Sequence, residues 1–241
     1  YRRELSLNDG IKTVTYEANG VTYQREYFAS YPDDILVIRM TADQPGALSF
    51  TVRPEIPYLE ARDPLDSKSG TVSAAGDLIR LTGTIDYYQV NYEIQVKVLP
   101  EGGSLTTDDS AIAVDDADAV TLLVAVDTNY ILGPHIFLHE PKDKLDPDLD
   151  PHRWVANRIE NAVARGFTSL RERHLQDHRN LFNRVAVNLS DDVSERTTSE
   201  LLARYQDGND DRYLEELMFH YGRYLLIASS RETTLPAHLQ G

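Results

Sequence analysis

Two histidines four apart, His174 and His178, have the most suggestive spacing in the chain. In a helical stretch that spacing puts both imidazoles on one face, as in paired metal ligands. A zinc protease motif needs glutamate directly after the first histidine, and Leu175 stands there instead. No third ligand is in view, so the pair reads as packing or surface histidines. His135 and His139 read as local loop structure. Asp146, Asp148 and Asp150 alternate with Pro147 and Leu149 and could offer oxygens to calcium. An EF-hand loop needs a glycine and a closing glutamate that are absent here, and these acids read as a solvated connector. No metal and no cofactor is expected.

Other chemistry is weaker. Asp115, Asp116 and Asp118 flank a strand pattern and read as turn charges. There is no Gly-x-Ser-x-Gly, and Ser229-Ser230 has no identifiable His–Asp partner. Glu101-Gly102-Gly103 is a turn without P-loop spacing. Trp154, the one tryptophan, is a residue type on which sugars stack, but at the start of an amphipathic helix it reads as interface packing. Tyr88 and Tyr92 read as core or sheet surface. The stretch from Arg231 to Gln240 is different. It follows an apolar helix, and Pro236 enforces an irregular path. A five-donor guanidinium and an amide suit sugar hydroxyls. Arg231, Thr234 and Gln240 are therefore candidate substrate-binding residues, the alternative being that they cap the helix and fix the loop.

The elements that must position these residues change period along the chain. Asn19-Gly20 between alternating runs is a hairpin signal, pairing Ala18 with Val21, Tyr16 with Tyr23 and Val14 with Arg25. That register gathers Val14, Tyr16, Val21 and Tyr23 on one face, with Thr13, Thr15, Gln24 and Glu26 on the other. Tyr88, Val90, Tyr92, Ile94, Val96 and Val98 alternate with polar residues, predicting a half-buried strand. Ile35–Met40, Leu48–Val52, Leu78–Leu81, Ala111–Val114 and Val120–Val126 read as further strands. Short strands with frequent turn signals imply an antiparallel β-sandwich.

Pro141 to Pro151 is a Pro/Asp-rich connector. Helical pattern runs from His152 to about Arg184, broken only at Gly166. Thr197-x-x-Glu200 is a capping box opening a second helix. A third starts after Asn209-Asp210, and its Tyr224–Ala228 segment is apolar nearly all round, which predicts burial by polypeptide beyond this chain. The expected organisation is α+β: a sandwich over 1–140, a helical linker over 141–208, and the start of a further helical domain over 209–241.

With 39 acidic against 24 basic residues the net charge is −15. That balance repels a phosphate backbone, so no nucleic-acid partner is expected. Ala119–Val126, the longest apolar run, is too short to span a bilayer as a helix. Cysteine is absent, which removes disulfides without deciding the compartment. The chain opens at Tyr1 without methionine, and both ends read as cuts.

Several motifs resemble the fucosidases of glycoside hydrolase family 95. These are Tyr1-Arg2-Arg3-Glu4-Leu5, Asn8-Asp9-Gly10, Val21-Thr22-Tyr23, Arg25-Glu26-Tyr27-Phe28-Ala29-Ser30, Pro32-Asp33, Glu101-Gly102-Gly103, Ala117-Asp118-Ala119-Val120-Thr121-Leu122-Leu123 and Thr128-Asn129-Tyr130. The strongest are Tyr221-Gly222-Arg223-Tyr224-Leu225-Leu226-Ile227-Ala228-Ser229-Ser230-Arg231 and Leu235-Pro236-Ala237-His238-Leu239-Gln240-Gly241. Where the family reads Arg-Pro-Gly-Thr-Leu-Pro-Ala-Asn, this chain has Glu232-Thr233 after Arg231 and His238 at the asparagine. No role is carried over to His238.

The resemblance implies a bacterial-type enzyme in which a β-sandwich leads through a helical linker into an (α/α) six-hairpin barrel. It also implies inverting hydrolysis of terminal α-L-fucosyl, or α-L-galactosyl, units. One carboxylic acid protonates the leaving oxygen, and a carboxylate with neighbouring asparagines positions water, the two carboxyls standing about 6.5–9.5 Å apart. The family's acid, base and asparagines fall beyond Gly241, so no residue here inherits a catalytic role. The implied partners are a glycan substrate and the remainder of the catalytic domain. Extracellular, cell-envelope and cytoplasmic locations in a bacterium stay open. A non-catalytic carbohydrate-binding sandwich, a scaffold domain and a phosphorolytic sandwich-and-barrel enzyme are the competing readings.

Overall fold

The structure, a computed structural model, describes residues 1–56, 68–86, 89–130, 138, 140, 143, 145, 149–190 and 194–231. Tyr88, His135, His139, Asp146, Asp148, Thr234, His238 and Gln240 lie outside the described residues. Among the described residues eleven strands precede three α-helices: β1 Arg2–Ser6, β2 Ile11–Ala18, β3 Val21–Ser30, β4 Ile35–Ala42, β5 Leu48–Val52, β6 Lys68–Ala75, β7 Leu78–Ile85, β8 Val90–Glu101, β9 Ser104–Thr107, β10 Ile112–Ala117, β11 Ala119–Thr128, α1 Pro151–Phe182, α2 Thr198–Gln206 and α3 Arg212–Ser229. The chain divides into two compact units, Tyr1–Leu5 with Ile11–His174, and Ser6–Gly10 with Leu175–Gly241.

The first unit is a β-sandwich. Its large sheet has the order β1-β2-β3-β4-β11-β8-β7-β6 and its small sheet β5-β10-β9. Antiparallel pairing runs from β2 through β6. The β2–β3 hairpin has the expected register, Ala18 opposite Val21 and Tyr16 opposite Tyr23. Asn19 and Gly20 both take positive φ, 52° and 75°, the twist that a two-residue hairpin turn requires. The Tyr16 and Tyr23 rings stack at 5.1 Å. Met40, Leu48, Ile79, Val96, Val98, Ile112, Val114, Val120 and Leu122 form the core, drawn from both sheets.

Burial on the opposite face of the large sheet departs from the simple alternation. Glu93 and Gln95 on β8 are only 3% and 2% exposed. Ile11 and Phe28, on the second face of the hairpin, are buried as well. The cause is the first part of α1, which lies across this face and buries its own Val155, Ile159, Ala162 and Leu170. Phe28 meets the Phe167 ring at 6.2 Å and stacks on His174 at 4.9 Å. Arg39 of β4 sits over the Phe167 ring at 5.0 Å. The unit thus has three layers: small sheet, large sheet, helix.

α1 kinks at Gly166, whose φ of 74° and ψ of 162° fall outside the helical range. That region of backbone space is essentially restricted to glycine. A Cβ built at Gly166 meets no atom within 4 Å, so the cost of a side chain there is carried by the backbone alone. Gly166→Ala is expected to lower stability by about 1–3 kcal/mol, measured by urea unfolding with the fluorescence of Trp154, which lies on α1, as probe. An unchanged midpoint would mean that the helix accepts a straight path.

In the second unit, local capping follows the sequence reading. Thr197 Oγ1 accepts from the Glu200 amide at 3.3 Å, and the Glu200 carboxylate accepts from the Thr197 amide at 2.7 Å. Asp211 caps α3 by accepting from the Leu214 amide at 3.0 Å. His178 Nε2 donates to the Leu7 carbonyl at 2.8 Å. Its ring lies 5.6 Å from Phe182 and 6.0 Å from Tyr224. Arg223 lies over the Phe182 ring at 4.7 Å, and His220 Nε2 donates to the Val187 carbonyl at 3.0 Å. These contacts sew the end of α1 to α3. The other side of α3 is apolar and bare: Met218, Phe219, Tyr221, Leu225 and Leu226 are exposed, Leu226 to 58%. The burial predicted for Tyr224–Ala228 is therefore not supplied by the described residues.

Candidate functional site

Arg231, the described member of the candidate substrate-binding set, follows the C-cap of α3. Ser230 is that cap, and its amide donates to the Leu226 carbonyl at 2.9 Å. One residue later, the Arg231 guanidinium forks onto Asp177 of α1. Nη2 reaches Oδ2 at 2.8 Å and Nη1 reaches Oδ1 at 3.4 Å. A planar guanidinium facing a planar carboxylate fixes orientation as well as distance. The Arg231 side chain is 14% exposed. Asp177 stands one residue before His178, whose ring packs on α3, so the anchor sits on a well-held part of the helix. Nothing local in the sequence points to Asp177, which lies 54 positions from Arg231.

Two polar clusters lie in the sandwich unit. Arg80 clasps Glu93 through Nε and Nη2, both at 2.9 Å. Gln95 Nε2 donates to the same carboxylate at 2.7 Å, and His152 Nδ1 lies 2.8 Å from it. Burial pushes the Glu93 carboxyl up, but the hydrogen bonds from Arg80, His152 and Gln95 together outweigh it and hold the group below its ordinary value of 4.5. Through His152 this cluster ties the start of α1 to the sheet. The second cluster centres on Asp33, which takes Ser30 Oγ at 2.6 Å, Arg173 Nε at 2.9 Å and Arg165 Nε at 3.3 Å.

A shallow cleft of about 170 Å³ opens at the α1 kink, walled by Leu99, Glu101, Thr121, Leu123, Ala162 and Phe167. Ligand sites usually enclose about 300–1,000 Å³. The Arg39 guanidinium is forked onto Glu101 at 2.5 and 2.9 Å and donates to Thr121 Oγ1 at 2.8 Å. The cleft is thus a packing feature of the kink.

His174 and His178 go to different partners, Phe28 and the Leu7 carbonyl respectively. Among the described residues no group of three or more His, Asp or Glu side chains is placed to hold a metal ion, and no helix is long and apolar enough to cross a membrane. Trp154 is half exposed on α1.

A two-sheet antiparallel sandwich followed by helices defines the class, an α+β protein with its candidate binding residue in the helical part. Residues 1–131 match the family described as glycosyl hydrolase family 65, N-terminal domain, and residues 166–241 match the glycosyl hydrolase family 95 catalytic domain. The chain belongs to the glycosyl hydrolase family 65 N-terminal domain family, whose model covers more than half of it, and the family 95 match is confined to residues 166–241.

It is 31% identical to alpha-L-fucosidase 2 of Arabidopsis thaliana and 32% identical to a probable alpha-fucosidase A of Aspergillus niger, each match covering 100% of this chain and 30% of the relative. The chain thus spans about 30% of the length of these curated relatives. They come from a plant and a mould, so the bacterial character expected above has no support in them. A solved structure described as a putative kojibiose phosphorylase from human microbiome aligns with a TM-score of 0.48 at 12% identity, over 75% of this chain and 24% of that one.

Proposed function

We propose that the whole protein is an exo-acting, inverting glycosidase that removes terminal α-L-fucosyl, or α-L-galactosyl, units from glycans. The observation that carries this reading is the match of the entire chain to relatives named as alpha-fucosidases. In this reading residues 1–140 are the sandwich, 141–208 the linker, and 209–241 enter an (α/α) barrel. The bare apolar side of α3 supports that division, since further helices of one barrel would cover it. Inversion needs an acid and a base about 6.5–9.5 Å apart with water between them, and these belong to the remainder of the catalytic domain. Arg231, Thr234 and Gln240 line or support the pocket.

The test is hydrolysis of a chromogenic α-L-fucoside by the full-length protein, with the anomer of released sugar followed by NMR. β-L-Fucose as the first product is expected, and no turnover, or turnover that requires phosphate, would sink the reading. Residues 1–241 expressed alone are expected to be inactive and poorly soluble, which assay and sedimentation of the expressed piece check. Alanine at Arg231, Thr234 or Gln240 that left kcat/KM within about twofold of wild type would remove that residue from the pocket.

A further inference from the structure

We infer that the hairpin face carrying Lys12, Tyr16, Arg25 and Tyr27 binds a sugar unit that bears a carboxylate; the inference goes beyond the glycosidase reading and does not rest on it. The β2–β3 register sets Lys12 opposite Tyr27, Val14 opposite Arg25 and Tyr16 opposite Tyr23. Residues two apart on a strand share a face, so these six lie on one side of the sheet. The same side of β4 carries Ile38, Met40 and Ala42, which stand opposite Tyr27, Arg25 and Tyr23.

Arg25 is the residue that points to a ligand. Among the described residues of the sandwich unit six arginines are half-buried, Arg25, Arg39, Arg80, Arg158, Arg171 and Arg173. Five of them meet a carboxylate: Arg39 meets Glu101, Arg80 Glu93, Arg158 Asp34, Arg171 Glu26 and Arg173 Asp33. Arg25 meets tyrosine hydroxyls instead. Its Nη2 donates to the Tyr16 hydroxyl at 3.1 Å, and the Tyr27 hydroxyl is a second acceptor. Its guanidinium lies over the Tyr16 ring at 5.3 Å, and Lys12 Nζ lies over the Tyr27 ring at 5.3 Å. On this side β2, β3 and β4 carry no acidic residue. Glu4 of the neighbouring strand β1 is taken by Arg2 at 2.5 Å. Partial burial strips water from a cation, and a neutral hydroxyl returns less than a carboxylate does. The five donors of a guanidinium are not used up by two hydroxyls.

The tyrosines decide the class of ligand. An aromatic ring with a hydroxyl at one end suits a partner that is apolar on its face and polar at its rim, as a pyranose is. Lys12 and Arg25 are diagonal neighbours across the hairpin, about 7–8 Å apart at the backbone, and their long side chains reach one shared carboxylate. A polyanion approaching a chain of net charge −15 is repelled at long range. A single acidic sugar is not.

The full-length protein is titrated calorimetrically with three probes: cellobiouronic acid, cellobiose and acetate. Cellobiose differs from the acid only in a hydroxymethyl group where the acid has its carboxylate. Wild type is expected to bind the acidic disaccharide at least about tenfold more tightly than either control, the worth of one charge-assisted contact. Arg25→Gln is expected to weaken that binding about tenfold, and Lys12→Met about threefold. Tyr27→Ala is expected to weaken both disaccharides about fivefold. Equal binding of the two disaccharides, or binding of neither, overturns the inference. Acetate held as tightly as the acidic disaccharide overturns it as well, since the sugar then contributes nothing. Wild-type affinity in both K12M and Y27A places the acidic sugar elsewhere and refutes the hairpin face. Lys12 is exposed, so K12M decides the matter if R25Q fails to fold. Turnover of a fucoside, present or absent, has no bearing on these outcomes.

Discussion

Glu93→Ala is expected to lower the unfolding free energy by about 3 kcal/mol, one of the two largest losses predicted for this chain. Glu93 is 3% exposed and serves three partners at once. Arg80 and His152 are partly exposed and regain water when the carboxylate goes. Gln95 cannot, being 2% exposed, and its amide exchanges the carboxylate at 2.7 Å for nothing better than its longer 3.4 Å contact with His152 Nδ1. An under-satisfied buried amide costs about 1–3 kcal/mol, and the lost charge-assisted bonds account for the remainder.

A pH signature separates this effect from simple cavity formation. The Glu93 carboxyl titrates below its ordinary value in the folded protein, so its contribution is present above the unfolded-state pKa and fades as pH falls through the folded one. Wild type should lose stability on acidification from about pH 4.5 downward, whereas Glu93→Gln, of the same shape and without charge, should lack that part of the slope. Urea titrations of both proteins by Trp154 fluorescence provide the comparison. Parallel pH profiles would show that the charge of Glu93 contributes nothing to the clasp.

Asp33→Ala should cost about 2–3 kcal/mol, while Asp34→Asn, its immediate neighbour, should cost under about 1 kcal/mol. The difference is one of burial. The Asp33 side chain is 4% exposed and that of Asp34 is 69% exposed. Asp33 binds Arg165 and Arg173, which flank Gly166, and so clamps both arms of the kinked helix to one point. It also satisfies the hydroxyl of Ser30, which is itself buried. Asp34 makes one ion pair with Arg158, at 2.6 Å, in contact with water. Asparagine is the right probe there because Asp34 has a φ of 49°, which asparagine tolerates and alanine resists. Equal losses at the two positions would refute burial as the deciding quantity.

The candidate site was legible only at its near end. Arg231 stood out because a guanidinium followed an apolar helix just ahead of a proline. Asp177 did not, because one aspartate among 39 acidic residues carries no mark of its partner. The capping box at Thr197 and Glu200 was readable since its two halves lie three residues apart and act on one turn of backbone.

By itself the sequence determined whatever depends on near neighbours. The turn at Asn19-Gly20 and the register of its hairpin, the strands with period two, the helices with their caps and the break at Gly166 all follow from local sterics and hydrogen bonding. The tertiary structure decided which polar side chains are taken out of water and which charges meet. The alternation along β8 marks Glu93 and Gln95 as solvent-facing, and they are buried because α1, more than fifty positions further on, lies across them. Glu26 pairs with Arg171 across 145 positions. Such pairings follow from the packing of whole layers, which hydrophobic burial drives without reference to charge. The ionic partners are then whichever groups that packing brings within reach.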